Sequence, residues 1–94
     1  MDLHKTATYM VSGDYKKRFI AEYWQTKIRY EKLKAFLTRI EAAELMETEA
    51  PKHDCPYDLL RMQQSSMGEY LHILELRAHI ENIDLNSLGE EHNG

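Results

Sequence analysis

The chain has 94 residues, of which 43% are hydrophobic and 30% are charged, and its formal net charge is −4. A chain of this length forms one domain at most, and its few glycines and prolines favour helices over turn-rich β structure. Cys55 is the single cysteine, which excludes an intrachain disulfide, and no apolar run approaches the ~20 residues of a membrane span.

The first predicted unit is residues 1–13, an N-terminal arm or a short helix. This segment lacks the apolar core of a signal peptide, which indicates a cytoplasmic location. Asp14 follows it and is a candidate N-cap, because its side-chain oxygen can accept hydrogen bonds from the free N–H groups of a first helical turn.

The second predicted unit, residues 14–83, is a helical hairpin. Its first helix runs from Tyr15 to about Met46, since this segment contains neither glycine nor proline and is rich in helix formers. Two prolines, Pro51 and Pro56, then interrupt the helical pattern.

The second long helix is predicted from about Tyr57 to Asn82, with Pro56 at its start and Asp54 or Cys55 at its cap. Because the connector is short, the two helices are expected to run antiparallel. Residues 84–94 form a polar tail that we predict to be partly disordered.

The apolar residues of the first helix lie on two sides when they are placed at 100° per residue. One stripe contains Phe19, Tyr23, Tyr30, Leu33, Leu37 and Ile40, and the other contains Ile20, Trp24 and Ile28. In a hairpin each helix shields one face, so a helix with two apolar sides needs a further partner. We therefore predict an all-α fold in which hairpins assemble as a homo-oligomeric helical bundle.

Charge is distributed unevenly along the chain. Residues 14–36 contain seven basic and three acidic residues, a net charge of +4, whereas residues 37–94 contain four basic and twelve acidic ones, a net charge of −8. Long nucleic acid needs a broad basic face, so the acidic remainder argues against it as a ligand. A small anion bound at one place is compatible with this distribution.

A polar strip lies between the two apolar stripes of the first helix. It contains Tyr15, Arg18, Glu22, Gln25, Arg29 and Lys32. Arginine and lysine can hold phosphate oxygens, and a tyrosine ring can stack on a nucleobase. The alternative is an ordinary solvated face with an ion pair between Arg18 and Glu22.

Gln64 and Arg77 lie in or beside the apolar arc of the second helix, where a polar side chain needs a partner. That partner is an interhelical one, such as Glu44, or else Arg77 lines a second ligand site. An enzyme is a weaker interpretation, because His53, Asp54 and Cys55 supply only a fragment of a catalytic or zinc motif. We therefore expect no catalysis, no cofactor and no metal.

An ordered set of residues also resembles a known family. The set is Asp14, Tyr15, Arg18, Lys34, Ala35 and Phe36 in the first helix, and Leu59, Leu60, Gln64, Met67, Tyr70, Leu74 and Arg77 in the second. Over about residues 14–82 the chain is similar to a widespread family of small phage helical-hairpin proteins that includes the anti-CBASS sponges.

The resemblance implies a protein that binds the cyclic oligonucleotide messengers of the bacterial CBASS defence, without degrading them, in the host bacterial cytoplasm. It implies a hexamer, with cyclic dinucleotides between paired protomers and cyclic trinucleotides at a separate site. The candidate ligand-binding residues are Tyr15, Arg18, Arg29, Lys32, Gln64 and Arg77. The alternative function is a helical module that binds a host protein through the apolar face around Trp24.

Overall fold

Three helices make up the described part of the chain. The computed structural model describes residues 3–10 and 13–87, and within them α1 spans Leu3–Met10, α2 spans Tyr15–Met46 and α3 spans Tyr57–Glu81. Both α1 and α3 pack against α2. The prediction of an all-α chain with a short N-terminal helix and two long helices is confirmed.

The two long helices run antiparallel, as their cross-helix contacts show. The start of α2 meets the end of α3, where Tyr15 contacts Glu81, and the second half of α2 meets the start of α3, where Glu41 contacts Arg61. The short connector therefore closes a hairpin. None of the helices in the described ranges combines the length and the apolarity needed to cross a membrane.

The ends of α2 are defined by two different caps. The side chain of Asp14 accepts a hydrogen bond of 2.8 Å from the backbone N–H of Lys16, so the predicted N-cap is confirmed. At the other end Glu47 has φ 57° and ψ 38°, the left-handed conformation, and its N–H points back to the carbonyls of Ala43 and Glu44.

The start of α3 corrects one prediction. Pro56, and not Asp54 or Cys55, occupies the N-cap position, and it makes no side-chain capping bond. Its ring fixes φ at −58°, and its carbonyl oxygen accepts the N–H groups of Leu59 and Leu60. The backbone of the proline thus begins the helix without a polar cap.

The first apolar stripe of α2 forms the core together with α3, as predicted. Phe19 and Tyr23 are buried against the inner face of α3, which contributes Leu71, Leu74 and Ala78. Further along α2, Leu37 and Ile40 are also buried, and Tyr30 is half-buried beside the core.

The second apolar stripe of α2 is covered within the chain, which corrects the premise that it requires another copy. Ile20 is buried, and the indole Nε1 of Trp24 donates a 2.7 Å hydrogen bond to the carbonyl oxygen of Leu85. We call residues 83–87 the C-terminal strap, because they follow α3 and Ile83 joins the core. The rest of the predicted tail, residues 88–94, lies outside the described residues.

Candidate functional site

Two of the predicted ligand-binding residues, 62 positions apart in the chain, meet where α2 begins and α3 ends. Arg77 donates from Nη2 to the hydroxyl oxygen of Tyr15 over 2.7 Å, and that hydroxyl donates to Oε1 of Glu81 over 2.8 Å. Arg77 also donates from Nε to Oε2 of Glu81 over 3.2 Å. With Phe19, whose ring centroid lies 5.0 Å from the guanidinium carbon, these residues form what we call the Tyr15 cluster.

The charges of the Tyr15 cluster stabilise one another. The hydrogen bond from Tyr15 is the main cause that lowers the pKa of Glu81, and the bond to Glu81 is the main cause that raises the pKa of Tyr15. The contact with Glu81 likewise raises the pKa of Arg77. The cluster is therefore ionised as a carboxylate and a guanidinium at neutral pH, with a neutral phenol between them.

The Tyr15 cluster offers the chemistry that a nucleotide needs. The side chain of Tyr15 is 47% exposed, so its ring can still stack on a planar base. The guanidinium of Arg77 stays half-exposed beside it and can hold a phosphate oxygen. The predicted pairing of Arg77 with an acid such as Glu44 is wrong, since its acidic partner is Glu81, one turn away on α3.

Gln64 lies in a second place, which we call the Gln64 groove. This open cavity of about 320 Å³ is lined by Tyr30, Arg61, Gln64, Ser65 and Gly68. Its lining combines an aromatic ring, an amide, a hydroxyl and a guanidinium, which are groups that can contact a base and a phosphate. Arg61 also reaches Oε2 of Glu41 across the hairpin at 3.4 Å.

The two long helices approach closely at the Gln64 groove because Gly68 has no side chain. A Cβ atom at this position would lie 3.3 Å from Cε1 of Tyr30. Tyr30 is also 6.0 Å, from ring centroid to Nζ, from the ammonium of Lys27 on the same helix. The glycine thus lets the tyrosine ring form one wall of the groove.

The remaining predicted residues, Arg18, Arg29 and Lys32, are exposed on α2. Arg29 lies 14 residues after Tyr15, about 21 Å along the helix axis at ~1.5 Å per residue. One small ligand on one protomer therefore cannot contact both Tyr15 and Arg29. Within the polar strip, Glu22 does not face solvent alone, because it accepts hydrogen bonds from Thr26 and Tyr70.

Two other places were considered for chemistry. An open groove of about 440 Å³ lies at the end of α2, and Arg39, Met46 and Pro51 are among its lining residues, but none of the predicted ligand-binding residues lines it. In the connector, His53 contacts the backbone oxygen of Cys55 through Nδ1 at 2.6 Å. Within residues 3–10 and 13–87, no group of three or more His, Cys, Asp or Glu residues could hold a metal ion.

Sequence reasoning missed several members of both places, namely Phe19, Tyr30, Arg61 and Glu81. An antiparallel register would have found Glu81, because pairing the first turn of α2 with the last turn of α3 brings it to Tyr15. Phe19 and Tyr30 were assigned to the apolar stripe, which they do join, so their second role carried no separate signal.

The fold and these surfaces define a small helical-hairpin protein with polar, partly cationic places on an otherwise acidic chain. The family model described as Sequestin matches residues 13–80, and the chain belongs to the Sequestin family. This confirms the resemblance to a family of sponge-type anti-CBASS proteins, and the name indicates a binding role in which a molecule is sequestered. No curated protein and no solved structure matches the chain.

Proposed function

We propose that this protein is a phage anti-CBASS sponge, which binds cyclic di- and trinucleotide immune signals in the host bacterial cytoplasm without degrading them. The observation that carries the proposal is that the Sequestin match, residues 13–80, includes both Tyr15 and Arg77, which form a single hydrogen-bonded cluster. An aromatic ring beside a fixed guanidinium suits a ligand that combines bases with phosphates.

The mechanism is capture at equilibrium. Tight binding lowers the concentration of free messenger, so that an effector of weaker affinity stays unoccupied. This function requires stacking and ion pairing but no bond breaking, and the ligand is released chemically unchanged when the protein unfolds.

The proposed ligand contacts fall in two sets. Tyr15 stacks on a base while Arg18 and Arg77 hold phosphate oxygens, and Gln64 contacts a base edge in its groove. Arg29 and Lys32 lie too far along α2 to join Tyr15 on one protomer, so they contact a shared ligand from a neighbouring copy in a homo-oligomer, which we propose to be a hexamer. Such a site would be symmetric and would suit a symmetric cyclic dinucleotide.

The test is calorimetric titration with a panel of cyclic di- and trinucleotides, with a linear dinucleotide as the control ligand. We expect saturable binding of at least one cyclic ligand, and recovery of that ligand intact after denaturation. Absence of binding to every cyclic ligand, or recovery of a cleaved product, would contradict the proposal.

Variants of Tyr15 locate the contact. Tyr15→Ala removes the ring and is expected to weaken binding roughly tenfold or more, because stacking of one base contributes about this much. Tyr15→Phe retains the ring and should bind closer to wild type. Tyr57→Ala is the matched control, since Tyr57 lies at the opposite end of the hairpin. Equal affinity of Tyr15→Ala and wild type would remove the Tyr15 cluster from the site.

A further inference from the structure

The outer face of α3 is an apolar surface that nothing in the chain covers. The inner face of this helix packs on α2 through Leu71, Leu74 and Ala78. On the opposite side, the large apolar side chains are between 51% and 65% exposed. The outer α3 face consists of Leu59, Met62, Ser66, Glu69, Ile73 and Leu76.

The spacing of the outer α3 face is that of a coiled-coil seam. Its six positions are separated alternately by three and four residues, which places them on one narrow stripe that can pack against another helix. Inside the chain, α1 packs on α2, and the C-terminal strap covers Trp24 of α2. A helix from outside the chain is therefore the partner that fits the stripe.

The order of side chains along the stripe is symmetric. Two apolar residues are followed by two polar residues and then by two apolar residues. A two-fold axis between Met67 and Gly68 would place Leu59 opposite Leu76, Met62 opposite Ile73, and Ser66 opposite Glu69 of another copy. A stripe with this symmetry is complementary to itself only when the two helices run antiparallel, as in an isologous dimer.

Charge also selects a second copy in the antiparallel direction. In a parallel pair, each Glu69 would face Glu69 of the other copy and each Asp58 would lie beside Asp58, and both contacts are repulsive. In the antiparallel pair, the hydroxyl of Ser66 can donate to Glu69 of the second copy. Asp58, in the first turn of α3, then lies near His79 in the last turn of the second copy, which also opposes the helix dipoles.

We propose that the outer α3 face joins two copies of this chain through an antiparallel pair of α3 helices. This goes beyond the proposed function, since it assigns the surface and the direction of a contact between copies and does not depend on any ligand. The contact buries the apolar residues that the hairpin leaves exposed and pairs its few polar residues with one another.

The first test measures the mass of the purified protein by light scattering and sedimentation. We expect an assembly of at least two copies at micromolar concentrations. Leu76→Lys should reduce the mass at least twofold, because it places a charge at the middle of an apolar layer on each side of the axis. Leu45→Lys is the matched control, since Leu45 is 86% exposed on α2 and lies outside the stripe, and it should leave the mass unchanged.

The second test determines direction by cross-linking in a Cys55→Ser background. Mixing Leu59→Cys protein with Leu76→Cys protein should give a disulfide-linked heterodimer, because these positions face each other in the antiparallel pair. Each variant alone should not cross-link, since like positions are then 17 residues apart along the helices, about 25 Å at ~1.5 Å per residue.

Three results would overturn the inference: a monomer at all concentrations, a mass that Leu76→Lys leaves unchanged, or efficient cross-linking of Leu59→Cys with itself. Circular dichroism of each variant verifies that the helices remain intact. A protein that pairs as described and binds no cyclic nucleotide would support this inference and contradict the proposed function.

Discussion

At the scale of single residues, Tyr23 shows how the hairpin holds a polar group in its core. The side chain is 6% exposed, and its hydroxyl donates a 2.7 Å hydrogen bond to Oε2 of Glu75 on α3. Burial, followed by this bond to a carboxylate, raises the pKa of Tyr23 to about 12. The neutral phenol is thus the form that the folded protein requires.

The raised pKa of Tyr23 predicts how stability depends on alkaline pH. In the unfolded chain a tyrosine has a pKa of about 10, so the stabilising effect of this group is fully present below pH ~10. It is lost as the pH rises towards 12, because the unfolded state releases its proton before the folded state does. We expect the free energy of unfolding, measured with urea, to fall between these two pH values.

Tyr23→Phe is the control for this pH dependence. The variant cannot ionise at this position, so its free energy of unfolding should fall less steeply over the same pH range. Other tyrosines with raised pKa values, such as Tyr70, remain in both proteins and cancel in the comparison. Identical slopes for the two proteins would show that Tyr23 ionises in the folded state as it does in the unfolded chain.

At the scale of helices, sequence patterns predicted α2 better than they predicted the start of α3. The absence of glycine and proline from Tyr15 to Met46, with Asp14 before them, gave the bounds that the structure has. The cap of α3 was assigned by a preference for polar side chains. Pro56 occupies that position because a proline already has the backbone angle that the end of a connector needs.

The C-terminal end of α2 carries strain that a substitution can relieve. Glu47 is a non-glycine residue in the left-handed conformation, which costs roughly 1 kcal/mol for a residue with a Cβ atom. We expect Glu47→Gly to raise the free energy of unfolding by about 0.5–1 kcal/mol, since glycine adopts this conformation readily but is also more flexible when unfolded. Urea denaturation measures the change.

Two variants serve as comparisons for Glu47→Gly. Glu47→Ala keeps the Cβ atom and should give no such gain. Asn82 caps α3 in the same left-handed conformation with φ 58°, but asparagine tolerates it, so Asn82→Gly should stabilise less than Glu47→Gly does. A gain of equal size in Glu47→Ala would mean that the carboxylate, and not the backbone conformation, sets the effect.

The close approach of the long helices gives a second prediction at this scale. Gly68→Ala gains up to about 1 kcal/mol of helix propensity, but its Cβ atom requires Tyr30 to shift by a few tenths of an ångström. Tyr30 borders the open Gln64 groove and can make this shift, so we expect a net gain of roughly 0.5 kcal/mol. Gly68→Val, which adds bulk near the ring, should instead destabilise. A clear loss in Gly68→Ala would show that the ring is fixed.

At the scale of the whole molecule, the sequence gave little warning of contacts between distant segments. Tyr15 and Arg77 were assigned to different sites because helix periodicity orders residues within a helix and not between helices. Ile83 and Leu85 stand in a short polar segment without helical periodicity, so nothing indicated that they would cover Trp24. Such contacts depend on where the chain turns after α3, which one left-handed residue, Asn82, decides.

The C-terminal strap is therefore the last element to test. Removing residues 83–94 deletes Ile83, which is 7% exposed, and uncovers the indole of Trp24. Because burial of one isoleucine side chain contributes about 1.5–3 kcal/mol, we expect the free energy of unfolding to fall by at least this much. Trp24 is the single tryptophan, so its fluorescence emission should shift to longer wavelength in the native truncated protein.

Removing only residues 88–94 is the matched control, since it retains Ile83 and Leu85. This shorter truncation should leave both the emission maximum and the free energy of unfolding close to those of the full chain. If both truncated proteins emit at the same wavelength as the full chain, Trp24 is shielded by something other than the strap. A blue-shifted emission that persists on removal of residues 83–94 and disappears in Leu76→Lys would instead mean that assembly through α3, and not the strap, buries the indole.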